Sequence, residues 1–180
     1  MADSNSQRNS IKVPPQNLDG EKALLGAIML RPDAMHEIID IIHAQCFYAE
    51  KHRRIFETML ELFSKGTPID LLSMSSRLKE KDLLERAGGS AYLTELVNSV
   101  PSSVNIKHYA DIVQKKFMMR RLIEASEYLA HLGYEEAHDL EVILDSAEKK
   151  IYEVTGTGTT SSFKALKEEL TEAMERLDKL

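Results

Sequence analysis

The sequence predicts an all-α chain: a small helical globule, then a long antiparallel helical hairpin, then a tethered amphipathic linker helix. Three observations carry this. The 180 residues include only eight Gly and five Pro, and good helix formers dominate the rest. No β-branched alternating run marks a strand. Apolar residues recur instead at steps of three and four, the spacing that places them on one face of a helix. The expected divisions are a disordered tail over 1–13, a globule over 14–103, a hairpin over 104–155, a flexible linker over 156–162 and a linker helix over 163–180.

Val13-Pro14-Pro15-Gln16-Asn17 reads as an extended lead-in, because proline disfavours helix in the residue before it. Asn17 or Asp19 caps a first helix to about Leu30. Arg31-Pro32-Asp33 breaks it, and a second helix is expected over Ala34–Ile42. Cys46-Phe47-Tyr48 forms an apolar hinge. A third helix spans about Glu50 to Lys65, with Ile55, Phe56, Met59, Leu60, Leu62 and Phe63 as a broad core face. Gly66-Thr67-Pro68-Ile69-Asp70 ends it and starts a fourth, to about Lys81. Short helices are expected at Leu83–Arg86 and Ala91–Ser99, separated by Gly88-Gly89.

Asn105 to Leu132 reads as one helix of roughly 40 Å. The stretch from Gly133 to His138 is a turn, and Asp139 caps a return helix to about Thr155. Leu122, Ala125, Leu129 and Leu132 on the way out match Leu140, Leu144, Ala147, Ile151 and Val154 on the way back, a coiled-coil seam. Ile106, Tyr109, Val113 and Phe117 lie on the other side of the outgoing helix and should face the globule. A third row, Ile112, Met119, Ile123 and Ala130, lies on neither face. It is either ordinary exposed apolar surface or a contact with another protein or protomer. Beyond the tether Gly156-Thr157-Gly158-Thr159-Thr160-Ser161-Ser162, the residues Phe163, Leu166, Leu170, Met174 and Leu177 form one apolar face of the final helix.

Charge and cysteine usage exclude several classes. The net charge is −6, whereas affinity for phosphate backbones calls for a basic balance or stripe. Protein partners are therefore expected, with little direct nucleic-acid binding. No apolar run reaches the roughly 18 residues of a membrane span, the N-terminus has no secretion signal, and one Cys allows no internal disulfide. A cytoplasmic protein is expected. Gly156–Ser162 has Ser161 where a phosphate-binding loop needs its second Gly, so no nucleotide site is read there. The six histidines make no His-x-x-x-His pair and Cys46 has no Cys neighbour, so no metal site is expected. The histidines read as surface or helix-end residues and Cys46 as a buried small apolar one. Lys115, Lys116, Arg120, Arg121, Lys149 and Lys150 make the hairpin base basic. Glu124, Glu127, Glu135, Glu136, Asp139, Glu141 and Asp145 make its tip acidic. This is a solvated face or an electrostatically steered protein contact.

Six motifs in order carry a family resemblance. Val-Pro-Pro-Gln-Asn-Leu-Asp-Gly-Glu-Lys-Ala-Leu-Leu-Gly-Ala (13–27) resembles the opening of bacterial replicative DNA helicases of the DnaB family. So do Phe47-Tyr48 with His52-Arg53-Arg54-Ile55-Phe56, Gly66-Thr-Pro-Ile-Asp-Leu71, Gly88-Gly89-Ser-Ala-Tyr92-Leu93, Val100-Pro101-Ser-Ser-Val-Asn105 and His108-Tyr109-Ala-Asp-Ile-Val113. Gly20 departs from the family's usual better helix former and is expected to loosen the first helix slightly.

The resemblance implies an N-terminal domain plus linker helix, lacking the RecA-like motor. No cofactor is then expected in this chain; ATP and Mg²⁺ belong to the parent protein's motor. It implies pairing into a trimer-of-dimers collar of a hexamer, docking of DnaG primase, a helicase loader as a further partner, and a linker helix that seats on the neighbouring subunit's motor at replication forks. The family's primase-sensitive positions correspond to Asp19, Tyr92, Ile123 and Leu129, and the third row adds Ile112 and Met119 as candidate contacts. The competing reading is a helical dimeric DNA-binding transcription regulator, with Arg77, Lys79 and Lys81 projecting from a recognition helix.

Overall fold

The computed structural model describes residues 13–100, 105–135 and 139–156; the linker (156–162, beyond its first residue) and the linker-helix face Phe163–Leu177 lie outside them. Within them the chain is helical throughout, without a strand. It forms two compact units, one through Arg120 and one from Arg121.

Helix α1 spans Leu18–Leu30. Asn17 is its cap: the Gly20 N–H donates to Asn17 Oδ1 at 2.8 Å, satisfying one of the otherwise orphaned first-turn donors. Leu24, Leu25, Ala27 and Ile28 are fully buried. The break at Arg31 falls where the sequence puts it, but the expected second helix does not form. A 3₁₀ turn covers Pro32–Glu37 instead, and the chain then turns through Ile38 and Ile42, both buried. Each isoleucine serves the core singly, and β-branched residues gain little from helix.

A second 3₁₀ turn, Ala44–Cys46, leads into Phe47, which is fully buried against Phe56 with ring centroids 5.0 Å apart. Helix α2 follows over Glu50–Ser64, burying Ile55, Phe56, Met59 and Leu62. Helix α3 spans Leu71–Glu80, capped by Asp70, whose side chain accepts from Ser73 N–H at 2.8 Å. Glu61 of α2 is held by Arg77, Lys65 and Lys81. The hydrogen bond from Arg77, then those from Lys65 and Lys81, hold its carboxyl group far below the ordinary carboxylate range.

Residues 84–88 form a turn in place of the short helix expected over Leu83–Arg86. Asp82 stands at φ 55°, a left-handed conformation that ends helical propagation. Helix α4 starts two residues earlier than expected and spans Gly89–Asn98. Gly88 precedes it at φ 96°, where an added Cβ would sit 2.9 Å from the Tyr92 side chain. Helix α5 spans Ile106–Leu132. Its first half completes the core of the first unit, with Ile106, Tyr109, Ala110 and Val113 buried and Phe117 packed alongside. Helix α6 spans Leu140–Gly156 and belongs to the second unit.

Gly20 has a positive use that its weak helix propensity conceals. A Cβ there would lie 3.0 Å from Ile112 Cγ2 and 3.2 Å from the capping Asn17 Oδ1. The residue makes room for α5 and for its own cap.

Candidate protein-docking surfaces

The second unit leaves much of its apolar surface uncovered. Ala125, Leu132 and Val154 are buried, and Leu129, Ile143, Ala147 and Lys150 are half-buried. The Lys150 ammonium stands 5.4 Å from the Tyr128 ring centroid. The shielded stripe of α6 is therefore Ile143-Ala147-Lys150-Val154, rotated from the expected Leu140-Leu144-Ala147-Ile151-Val154. Leu140, Leu144 and Ile151 are 70%, 54% and 50% exposed, and Leu122 is 62% exposed. The expected intramolecular seam is thus corrected at these four residues. The reason is geometric: α6 is apolar on more than one side, and a single neighbouring helix can cover only one stripe. Tyr134, Val142 and Tyr152 are exposed as well. Exposed apolar side chains in this number make the second unit a candidate docking surface.

On α5, Met119 and Ile123 are exposed and lie four residues apart, on one helix face. Ala130 is also exposed. Ile112 does not belong with them: it is half-buried over Gly20. Arg120 also leaves the basic cluster. It is buried, and its guanidinium donates to the Pro15 carbonyl at 2.9 Å and the Cys46 carbonyl at 2.7 Å, so it fastens the lead-in to the globule. Cys46 is buried, as expected, and burial pushes its thiol up to about 11, which leaves it no reactive thiolate.

In the first unit, a polar chain runs from the core to the surface. Glu21 is 2% exposed and His52 1%. His52 stands in the first turn of α2, a helix-end position as expected, but it is buried rather than on the surface. Glu21 Oε1 accepts from Tyr48 N–H at 2.6 Å, Oε2 accepts from Ala49 N–H at 3.3 Å, and His52 Nδ1 lies 2.6 Å from Oε2. Placing the proton on Nδ1 leaves Nε2 to the Tyr92 hydroxyl, 2.7 Å away. The His52 and Tyr92 rings stack with centroids 6.0 Å apart and planes 9° apart. Burial, then the charges of Glu95 and Glu21, pushes the Tyr92 hydroxyl up to about 12. Tyr92 is therefore mostly core. Its outer ring face is covered by the Lys51 ammonium, 3.5 Å from the centroid. Lys22, ion-paired with Glu95 at 2.9 Å, stands 5.9 Å from the ring centroid, and the exposed Asp19 in the first turn of α1 lies near Lys22.

Sequence reasoning missed Glu21 and His52, yet both carry a signal. Glu21 heads the stripe Leu24, Leu25, Ile28, and His52 heads Ile55, Phe56, Met59. A polar residue at the end of an apolar stripe points inward.

The candidate recognition helix loses two of its three cations to internal pairing, leaving Lys79 exposed. Arg77 is bound to Glu61 and Glu80, and Lys81 to Glu61. Among the described residues no group of His, Cys, Asp or Glu could hold a metal ion, and no helix is long and apolar enough to cross a membrane.

Comparison with known proteins agrees with this geometry. Residues 13–115 match the family model of the DnaB-like helicase N-terminal domain. The chain is 40% identical over 169 residues to the replicative DNA helicase DnaC of Bacillus subtilis, covering 94% of this chain and 37% of that protein. It is 35% identical over 175 residues to the DnaB helicase of Geobacillus stearothermophilus, covering 97% of this chain and 38% of that one. The chain thus spans well under half the length of these relatives. Among solved structures, the N-terminal domain of DnaB helicase from Mycobacterium tuberculosis superposes with a TM-score of 0.74 at 34% identity, covering 79% of this chain and all of that one. A DnaB-like replicative helicase, solved in a study of its interactions with primase, gives a TM-score of 0.65 at 28% identity, covering 86% of this chain and 35% of that one. Sequence, fold and core agree: the chain belongs to the DnaB-like helicase N-terminal domain family.

Proposed function

We propose that the chain is the assembly and docking module of a replicative DNA helicase. It pairs with copies of itself through the hairpin, on the way to a trimer-of-dimers collar, and receives DnaG primase. One observation supports this above the others: Leu122, Ile123, Leu140, Leu144 and Ile151 stand exposed, an uncovered apolar surface that a partner's burial would stabilise by about 25 cal/mol per Å². A relative of similar fold is known for its interactions with primase. DNA unwinding, with ATP and Mg²⁺, is assigned only to a whole protein carrying a motor domain, at the replication fork. In that protein the face Phe163, Leu166, Leu170, Met174, Leu177 seats on a neighbouring motor, and a loader is a further partner.

The direct test is Ile123→Asp. A charge placed in an apolar contact should weaken primase binding or self-association about tenfold or more. Helicity should be unchanged, because the side chain is 43% exposed. Binding by calorimetry and mass by light scattering read the two functions separately. Wild-type behaviour in both assays removes Ile123 from the contact.

A further inference from the structure

The polar chain of the first unit ends in an ammonium group that is held in place but not neutralised. Glu21 is fixed by two backbone N–H groups and His52, His52 fixes the Tyr92 hydroxyl, and the Tyr92 ring carries Lys51 at 3.5 Å. A cation 3.5 Å above a ring centroid sits in the attractive field of the ring face. That contact also restrains the side chain and lowers the entropy lost when it binds something. Among the described residues Lys51 makes no ion pair, while its neighbour Lys22 is paired with Glu95. Glu95 has its carboxyl group held low first by the Lys22 hydrogen bond, with Lys51 a weaker, more distant contribution. Lys51 itself is half-buried.

We propose that Lys51 is an anion-recognition point on this face, positioned by Tyr92 and His52, and that it takes a carboxylate from an acidic segment of the docked protein. Tyr92 then acts on the partner through Lys51 rather than by touching it, consistent with its 8% exposure. A carboxylate suits the site because one ammonium with an apolar ring behind it offers a single point charge. Glu95 is close enough to interact with the Lys51 charge, and one such acidic neighbour disfavours a densely charged polyanion far more than a single carboxylate. The inference rests on the docking reading above and adds to it the chemistry of one contact.

The experiment measures binding of the full 180-residue chain to the C-terminal domain of primase, at low and at physiological salt. Lys51→Met keeps the stem and removes the charge. It should weaken binding about three- to tenfold at low salt and flatten the salt dependence. Lys51→Arg should restore both. Tyr92→Leu removes the platform and should lose as much as Lys51→Met. The double variant should lose no more than either, because the two act as one unit. Equal affinity and equal salt slope for Lys51→Met and wild type, with unchanged melting, overturns the proposal and leaves the docking reading intact. No binding by the unaltered chain overturns the docking reading itself and the proposal with it.

Discussion

Glu21→Ala should cost about 3–5 kcal/mol of folding stability, the range expected when one partner of a buried polar pair is removed. The Tyr48 and Ala49 N–H groups and the His52 ring would lose their shared acceptor, and each buried orphan costs about 1–3 kcal/mol. Glu21→Gln should cost less, about 2 kcal/mol, since one oxygen still accepts while the new NH₂ faces donors. Tyr92→Phe should cost about 1 kcal/mol, the value of one hydrogen bond. Urea unfolding followed by circular dichroism checks the series. A loss under 1 kcal/mol for Glu21→Ala would mean the chain is not what ties α1, α2 and α4 together.

Gly26→Ala should destabilise by about 3 kcal/mol, opposite in sign to helix propensity. On an isolated helix the change would gain about 1 kcal/mol. Here the new Cβ would lie 2.1 Å from the Leu96 carbonyl oxygen and 2.4 Å from Val100 Cγ2. The first of these is backbone, so relief requires α1 and α4 to separate, and overpacking a tight core costs about 1–3 kcal/mol or more. Gly20→Ala is the milder comparison, because its nearest neighbours, at 3.0 and 3.2 Å, are side-chain atoms of Ile112 and the capping Asn17 that need give way by only a few tenths of an ångström. Its loss should be smaller than that of Gly26→Ala. The prediction fails if Gly26→Ala melts at or above the wild-type temperature.

The helices that bury a long stripe were legible in the sequence. The spacing of Ile55, Phe56, Met59 and Leu62 defines α2, Asn17 is the one of the two cap candidates that caps α1, and the stretch Gly66-Thr67-Pro68-Ile69-Asp70 ends α2 and starts α3 as expected. Segments held by tertiary demand were not legible. Ala34–Ile42 has helical spacing, but Pro32 and two singly buried isoleucines resolve it as a 3₁₀ turn and a bend. The hairpin's composition was legible and its rotation was not: the residues of α6 fit two overlapping stripes, and Ala147 and Val154 belong to both. The candidate contacts divide the same way. Exposure at Met119 and Ile123 follows from their place on a third row. The burial of Ile112 and of Tyr92 depends on Gly20 and His52, far away in the chain. Arg120 shows the limit most clearly, because within a basic run nothing local marks the one guanidinium that turns inward to two carbonyls.

In the proposed function the apolar face of the hairpin is covered by protein. Light scattering on the unaltered 180-residue chain at tens of micromolar tests it most directly. The expected result is the mass of a dimer or larger assembly, rising further when the C-terminal domain of primase is added. A strict monomer that binds no primase domain would contradict it.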